Sequence, residues 1–410
     1  MNEYSNSIIS FDYHLPDEKI AYFPVEPRDS SKLLIYKKQT ITESFYSELY
    51  HHLPEDSLLV FNNTKVIEAR LIFEKSNVVK IELFCLAPAY ETMDISAVML
   101  QKNKVLWKCM IGGAKKWKDE ILTLNFESNK SNHILSAKKI TLNNIENIIE
   151  FVWDDKDLTF AEVLHAVGKI PLPPYIKRNV TIADHENYQT IYALKDGSVA
   201  APTAGLHFTE SMFDNLKKNK INTSYLTLHV GAGTFMPIKT DSIDDHIMHE
   251  EFIEISKDLI LLLLQQTNQN TIAVGTTSLR SLESLYWIGV KIIETPKIRM
   301  NELVIQQWDA YQLPQNISKK QALESVLNWM NKNDRNTLLS KTQLMIKTDY
   351  KIRMVDAIIT NFHQPQSTLL LLISAFVGND WRKIYDYALN HEFRFLSYGD
   401  GCLLWNSSKS

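Results

Sequence analysis

The sequence predicts an α/β main domain on a mostly parallel or mixed sheet, with a separate stretch of antiparallel strands. Two observations carry this. The first is a pattern that recurs: an apolar strand, a turn rich in small or hydroxyl side chains, then a helix start. It appears at Thr271–Gly275 with Thr276-Thr277-Ser278, and at Asp356–Thr360 with Asn361–Gln366; the turn and helix start also appear at Gly197–Thr209. Strands alternating with helices imply a largely parallel sheet, which binds ligands at the carboxyl ends of its strands. The second is the region from Arg70 to Trp153, where short strand-like segments follow one another closely: Val78–Leu86, Ile95–Leu100, Leu106–Ile111, Ile121–Phe126 and His133–Ile140. That spacing suits a small antiparallel sheet or barrel.

Bulk properties narrow the class. A length of 410 residues allows two domains, and the net charge of -4 makes no case for nucleic acid as a general partner, so any RNA contact needs a local basic patch. Cys85, Cys109 and Cys402 are far apart and form no metal or redox motif, which fits a reducing compartment. Met1–Phe11 lacks the basic and apolar regions of a signal peptide, and the longest apolar runs, Leu259–Leu264 and Leu369–Ile373, are too short to span a bilayer. The expectation is a cytoplasmic protein without a membrane partner.

Along the chain, Phe11–Pro16 reads as extended and Asp17 opens a short helix. The loop Pro24–Lys32, stiffened by two prolines, presents Arg28 beside Asp29, either as a solvated pair or as a binding guanidinium. Leu33–Tyr36 and Leu58–Phe61 are strands, the second ending in Asn62-Asn63-Thr64-Lys65, which suits an Asx turn or a site wall. Lys115, Lys116 and Lys118 flank Trp117, a solvated hairpin tip or an RNA patch. A helix over Phe160–Val167 stops at Gly168, and the proline-stiffened segment Ile170–Arg178 ends in Tyr175, Lys177 and Arg178, as a linker or an RNA-facing clamp.

Gly197–Thr209 is the least scaffold-like stretch. Its small residues let backbone approach something closely, and Thr209 is placed to cap a helix over Glu210–Lys220. A carboxylate or phosphate cradle and a tight turn with a structural histidine both fit. Strand Thr223–Val230 ends in His229, then Gly231-Ala232-Gly233. His246 and His249 lie among four carboxylates, as solvated or hydrogen-bonded groups, a general acid or base, or less simply metal ligands. The Asn-, Lys- and Gln-rich segment 297–347, with one amphipathic helix over Lys319–Lys332, reads as a peripheral insertion.

Taken together, Phe11–Leu15, Glu26–Ser31, Leu58–Leu71, Pro171–Arg178, Tyr188–Thr209, Leu228–Pro237, His246–Glu250, Val274–Ser284, Thr360–Gly378 and Phe393–Asp400 resemble the S-adenosylmethionine:tRNA ribosyltransferase-isomerases of queuosine biosynthesis. The resemblance implies an α/β catalytic domain (residues 1–70 and 154–410) interrupted by an inserted antiparallel β-barrel domain (71–153). It also implies transfer and isomerisation of the ribosyl group of S-adenosylmethionine, a co-substrate, onto 7-aminomethyl-7-deazaguanine at the tRNA wobble position. Epoxyqueuosine-tRNA forms, and adenine and methionine leave. No metal is implied, and a monomer is expected.

For that chemistry the candidate proton-transfer groups are His207, His229, His246, His249 and Glu250. The expected S-adenosylmethionine side comprises Thr203, Gly205, Gly231, Gly233, Thr276, Thr277, Asn361 and His363, and the RNA side Arg28, Lys115, Lys116, Lys177 and Arg178, with Arg280 a further anion-binding candidate. The chain departs from the family pattern at Asn63, Lys65 and Glu68, where Asp, Arg and Pro are usual. Those departures touch the acceptor more than the donor. A diverged paralogue with another acceptor, a non-catalytic tRNA-binding protein and a metal hydrolase using the four histidines are the competing expectations.

Overall fold

The computed structural model describes residues 7–407 apart from 76–78, 90–93, 119, 141–146, 232–239 and 267–268. The strands are β1 (Lys32–Lys37), β2 (Thr40–Phe45), β3 (Leu58–Asn62), β4 (Thr64–Val66), β5 (Arg70–Glu74), β6 (Lys80–Pro88), β7 (Lys104–Gly112), β8 (Leu122–Ser128), β9 (Ser131–Ile140), β10 (Ile148–Trp153), β11 (Lys195–Ser198), β12 (Asn222–His229), β13 (Glu251–Ser256), β14 (Thr271–Val274), β15 (Val304–Ile305), β16 (Thr337–Thr342), β17 (Ala357–Asn361) and β18 (Gly401–Trp405). The helices are α1 (Ile95–Met99), α2 (Phe160–Val167), α3 (Asp184–Asn187), α4 (Glu210–Lys218), α5 (Lys257–Gln265), α6 (Thr276–Glu294), α7 (Asp309–Gln312), α8 (Lys319–Lys332), α9 (Thr368–Val377) and α10 (Trp381–Asn390).

Among the described residues ten strands form one mixed sheet in the order β15-β16-β13-β12-β3-β14-β17-β18-β1-β2. Its centre, β12-β3-β14-β17, is parallel throughout. Every residue of β3, β14 and β17 is buried. That is why Leu58-Leu59-Val60-Phe61 and Thr271–Val274 show no apolar–polar alternation: both faces are covered. Antiparallel β13 and β18 flank the parallel centre.

The helices start where the sequence places caps. The Thr209 hydroxyl accepts from the Met212 amide, and the Ser367 hydroxyl from that of Leu370. Thr159 and Glu162 form a capping box on α2. That helix stops at Gly168, where a Cβ would lie 1.9 Å from the Glu68 carbonyl oxygen.

The second sheet is antiparallel, in the order β5-β6-β7-β10-β9-β8, with its edge strands β5 and β8 in contact so that it curls towards closure. Phe73, Leu83, Trp107, Leu135 and Phe151 fill it, and Val199 and Phe252 from the main chain body join the same core. Strand β6 begins at Lys80, and Val78 lies outside the described residues. Ile95–Leu100, expected as a strand, is the helix α1, because Asp94 caps it by accepting from the Ala97 amide at 2.9 Å. Strands β5 and β10 were not singled out in the sequence.

The segment 297–347 also differs from expectation. It does lie at one edge of the sheet, but it is not peripheral to the core. Strand β16 pairs with β13, and Leu303, Ile305, Leu323, Val326, Leu338 and Leu344 are buried in the main cluster. Helix α8 packs on α6 so closely that a Cβ on Gly289 would fall 2.3 Å from the Ala322 carbonyl oxygen. Gly289→Ala should therefore force the two helices apart and cost about 3 kcal/mol, read as a lower urea midpoint of unfolding.

Candidate functional site

The carboxyl ends of β12, β14 and β17 face the same way and open into one cleft of about 840 Å³, its solvent-open mouth included. Thr203, Gly275, Thr276, Thr277, Asn361 and His363 line it, with Tyr175, Leu369 and Leu396 supplying apolar surface. The first six of these come from three separate turns of the chain.

Asn62, at the end of β3, fixes two of the walls. Its amide nitrogen donates to the Leu228 carbonyl (2.9 Å) and the Thr277 hydroxyl (3.3 Å). Its oxygen accepts from the Thr64 amide (3.2 Å), closing an Asx turn, and from the Leu228 amide (2.9 Å). A second chain of bonds fixes Asn361. Its oxygen accepts from the Thr203 hydroxyl (2.9 Å), and its nitrogen donates to His207 Nε2 (3.1 Å). His207 Nδ1 then donates to Ser31 Oγ (2.9 Å), whose own proton goes to the Arg28 carbonyl (3.0 Å). Only the neutral Nδ1–H tautomer satisfies this chain. His207 is thus placed behind the wall, stacked on Tyr46 at 4.1 Å, and positions Asn361.

Burial pushes His207 down to about 3, with Arg394 adding to the effect. Burial alone takes His363 to about 3, and its Nε2 lies 3.1 Å from the Thr360 hydroxyl. Both rings are neutral at physiological pH.

Two helices begin at the cleft. Gly275 caps α6 with φ +91, a conformation L side chains rarely adopt, and it brings no side chain of its own to the first-turn amides. Those amides give the cleft wall a partial positive charge. Ser367 caps the second, α9.

A family model described as "Queuosine biosynthesis protein" matches residues 8–404. The chain belongs to that family. Among solved structures it is similar to the S-adenosylmethionine tRNA ribosyltransferase from Thermotoga maritima, with 26% identity, 96% of this chain and 99% of that chain covered, and a TM-score of 0.45.

The other predicted family-site residues distribute as follows. His229 is buried next to the cleft wall residue Val230, with Nδ1 2.9 Å from Thr64 Oγ1 and Nε2 3.7 Å from Glu254. His249 is bonded to Glu251 at 3.3 Å and touches Gly231, and burial beside it lowers His246, with the charge of His249 adding to this. Glu250 is exposed and paired with Lys341 at 2.8 Å. Gly233 lies outside the described residues. Gly205 is not among the cleft-lining residues, and a Cβ there would lie 1.8 Å from the Tyr192 hydroxyl, so packing requires the glycine. Among the described residues no group of three His, Cys, Asp or Glu side chains is placed to share a metal ion, and His207, His229 and His249 are bonded to different partners.

The RNA-side residues are largely committed elsewhere. Arg28 donates to the Gln189 and Glu186 carbonyls at 2.9 and 2.7 Å, while Asp29 accepts from Thr209 at 2.9 Å. This pair buttresses the Gly197–Thr209 turn and is no solvated surface pair. Arg178 makes a two-pronged ion pair with Asp184, both bonds at 2.7 Å, and stacks on Phe23. Its guanidinium is therefore not open to phosphate. Lys177 is exposed and pairs with Asp17 at 3.4 Å. Lys115 and Lys116 are exposed, but Trp117 between them and Lys118 is buried and donates to the Glu120 carbonyl at 2.9 Å, so it offers no stacking platform. The unusual residues are absorbed locally. Asn63 accepts from Thr227, Lys65 pairs with Asp196 at 3.3 Å, and Glu68 bridges His165 and His185 at 2.9 and 3.4 Å.

The neutral buried histidines set a pH dependence. A histidine whose folded pKa lies near 3 favours the unfolded state once the unfolded ring protonates, so stability falls as pH drops below about 6.5. At pH 5 each such ring costs about 2 kcal/mol relative to pH 8. His363→Gln should shrink the difference in unfolding free energy between pH 8 and pH 5 by about that amount, measured by urea titration.

Proposed function

We propose that the protein transfers and isomerises the ribosyl group of S-adenosylmethionine onto 7-aminomethyl-7-deazaguanine at the tRNA wobble position, releasing adenine and methionine. Membership of the queuosine biosynthesis family supports this reading. The observation that carries it is the convergence of Thr203, Thr276, Thr277, Asn361 and His363 on one cleft with both polar and apolar lining.

The cleft suits a sulfonium nucleoside. The glycine-capped start of α6 is matched to the methionine carboxylate, because a helix N-terminus stabilises an anion. Thr203 and Asn361 offer uncharged partners to ribose hydroxyls, and Tyr175 and Leu396 an apolar wall to adenine. The sulfonium acidifies protons on the adjoining sugar carbon, so a positioned base starts the reaction. A neutral His363 is suited to hydrogen-bond a ligand without introducing charge. The exposed Lys115, Lys116 and Lys177 remain the cations available to tRNA phosphates.

Mass spectrometry of tRNA carrying 7-aminomethyl-7-deazaguanine, incubated with the protein and S-adenosylmethionine, should show epoxyqueuosine; unchanged tRNA would refute the reading. Asn361→Leu leaves the Thr203 hydroxyl and His207 without their partner. It should weaken S-adenosylmethionine binding by about tenfold or more, read by equilibrium dialysis.

A further inference from the structure

The cleft-lining ring of His363 has one nitrogen to spare. Nε2 lies 3.1 Å from the Thr360 hydroxyl, and Nδ1 has no partner among the described residues. Nδ1 is not sealed in either. The residue lines the cleft, is 8% exposed and has no unpaired ring nitrogen shut away from solvent.

The Thr360 hydroxyl decides which nitrogen carries the proton. Thr360 is buried, and among the described residues its hydroxyl meets only the His363 ring. A buried hydroxyl proton without an acceptor is costly, so Thr360 donates to Nε2. The ring is neutral, so its one proton sits on Nδ1 and is offered to the cleft.

The loop that carries the ring is held from behind. The His363 amide donates to the Tyr385 hydroxyl at 3.0 Å, and its carbonyl accepts from the Tyr13 hydroxyl. The Gln366 amide donates to the Phe11 carbonyl at 3.0 Å, and the Ser367 hydroxyl to the Gln364 carbonyl at 2.7 Å. The surface beside the ring is apolar. The Leu396 amide donates at 3.2 Å to the carbonyl of Phe362, the residue before His363. Ser397, next to Leu396, meets the Tyr175 hydroxyl at 2.5 Å. One fixed donor beside Leu396 and Tyr175 suits a heteroaromatic base, which has an apolar face and ring-nitrogen acceptors at its edge.

We propose that His363 Nδ1 donates a hydrogen bond to N7 or N3 of the adenine and stabilises that base as it leaves. The proposal rests on the S-adenosylmethionine reading above. When the bond from the sugar to N9 breaks, its electron pair goes to the adenine ring. The sugar ring oxygen shares a lone pair with the carbon left behind. N7 and N3 both flank N9 and take up part of the new negative charge. A donor already held there binds more strongly as the bond lengthens. The neutral imidazole keeps its proton throughout, and water supplies the one that completes neutral adenine. His363 is thus a catalytic residue, and Thr360, acting through it, a positioning residue.

The test compares S-adenosylmethionine with its 7-deaza and 3-deaza analogues, each lacking one acceptor nitrogen. Full-length protein and tRNA carrying 7-aminomethyl-7-deazaguanine are used, with release of the base giving kcat and equilibrium dialysis giving donor binding. His363→Phe should lower kcat on S-adenosylmethionine by about a hundredfold, and binding by about tenfold or less. On one of the two analogues the same substitution should cost nothing further, because the acceptor is already gone. Thr360→Val keeps the side-chain shape but releases the ring tautomer. It should lower kcat on S-adenosylmethionine by about tenfold and likewise leave that analogue unaffected. For an analogue that is not turned over, its binding carries the same comparison. Full turnover by His363→Phe, or an equal loss on all three donors, would overturn the assignment. Should His363→Phe not fold, Thr360→Val decides by the same criterion. A wild type that releases no adenine from S-adenosylmethionine would bring down the underlying reading, and the assignment with it.

Discussion

The candidate site depends on the primary amide of Asn62. A carboxamide offers two donors and an acceptor oxygen, and here both ends are used within a fully buried setting. The two bonds to Leu228 extend the β3–β12 ladder beyond the last backbone pair, Asn62 with Leu226. The bond to Thr277 fastens the first turn of α6 to that same ladder. An aspartate in this place would have no donor for the Leu228 carbonyl. A leucine would strand four polar partners in a dry interior, where each unpaired group is costly. One side chain therefore holds strand ends and helix start at a fixed separation, and the cleft between them inherits that rigidity.

Burial divides the histidines into two kinds. His207 lies inside a polar chain that demands a neutral ring, and desolvation keeps both His207 and His363 neutral. His207 thereby holds the Asn361 amide in one orientation, and neither neutral ring adds charge to the cleft. His249 differs because part of its ring reaches solvent and a buried carboxylate stands behind it. A ring enclosed like His207 would have to ionise in a dry interior.

The strand–turn–helix pattern in the sequence was sufficient to bring Thr203, Thr276, Thr277, Asn361 and His363 to one place, because strand direction and cap chemistry are local properties. What could not be read was which long-range partner each polar group takes. Gly205 and Gly275 look alike in sequence; one avoids the Tyr192 hydroxyl, the other adopts a positive φ at the head of a helix. Arg178 and Arg28 present as free cations until the chain brings Asp184 and the 186–189 turn to them. Glu250 and Glu251 are adjacent carboxylates, yet the first is exposed beside Lys341 and the second, opening the buried strand β13, meets Arg280. The polar composition of 297–347 concealed Gln307 and Gln343, whose amides fasten the His246–His249 segment from a distance no local pattern spans.

The antiparallel sheet is attached to the main body near the same strand ends. Ser96, on α1, donates to Glu254 at 3.4 Å, and Lys195 and His229 each approach that carboxylate at 3.7 Å. Burial opposes ionisation of Glu254, but His229 and Lys195 together hold its carboxyl below the usual range. His229 in turn meets Thr64, whose amide closes the Asx turn on Asn62. A continuous run of polar contacts thus leads from the antiparallel sheet through Glu254, His229 and Thr64 to the amide that fixes the cleft. The Glu254 cluster adds charge attraction at this junction, so the antiparallel sheet and the cleft wall meet through the same few groups.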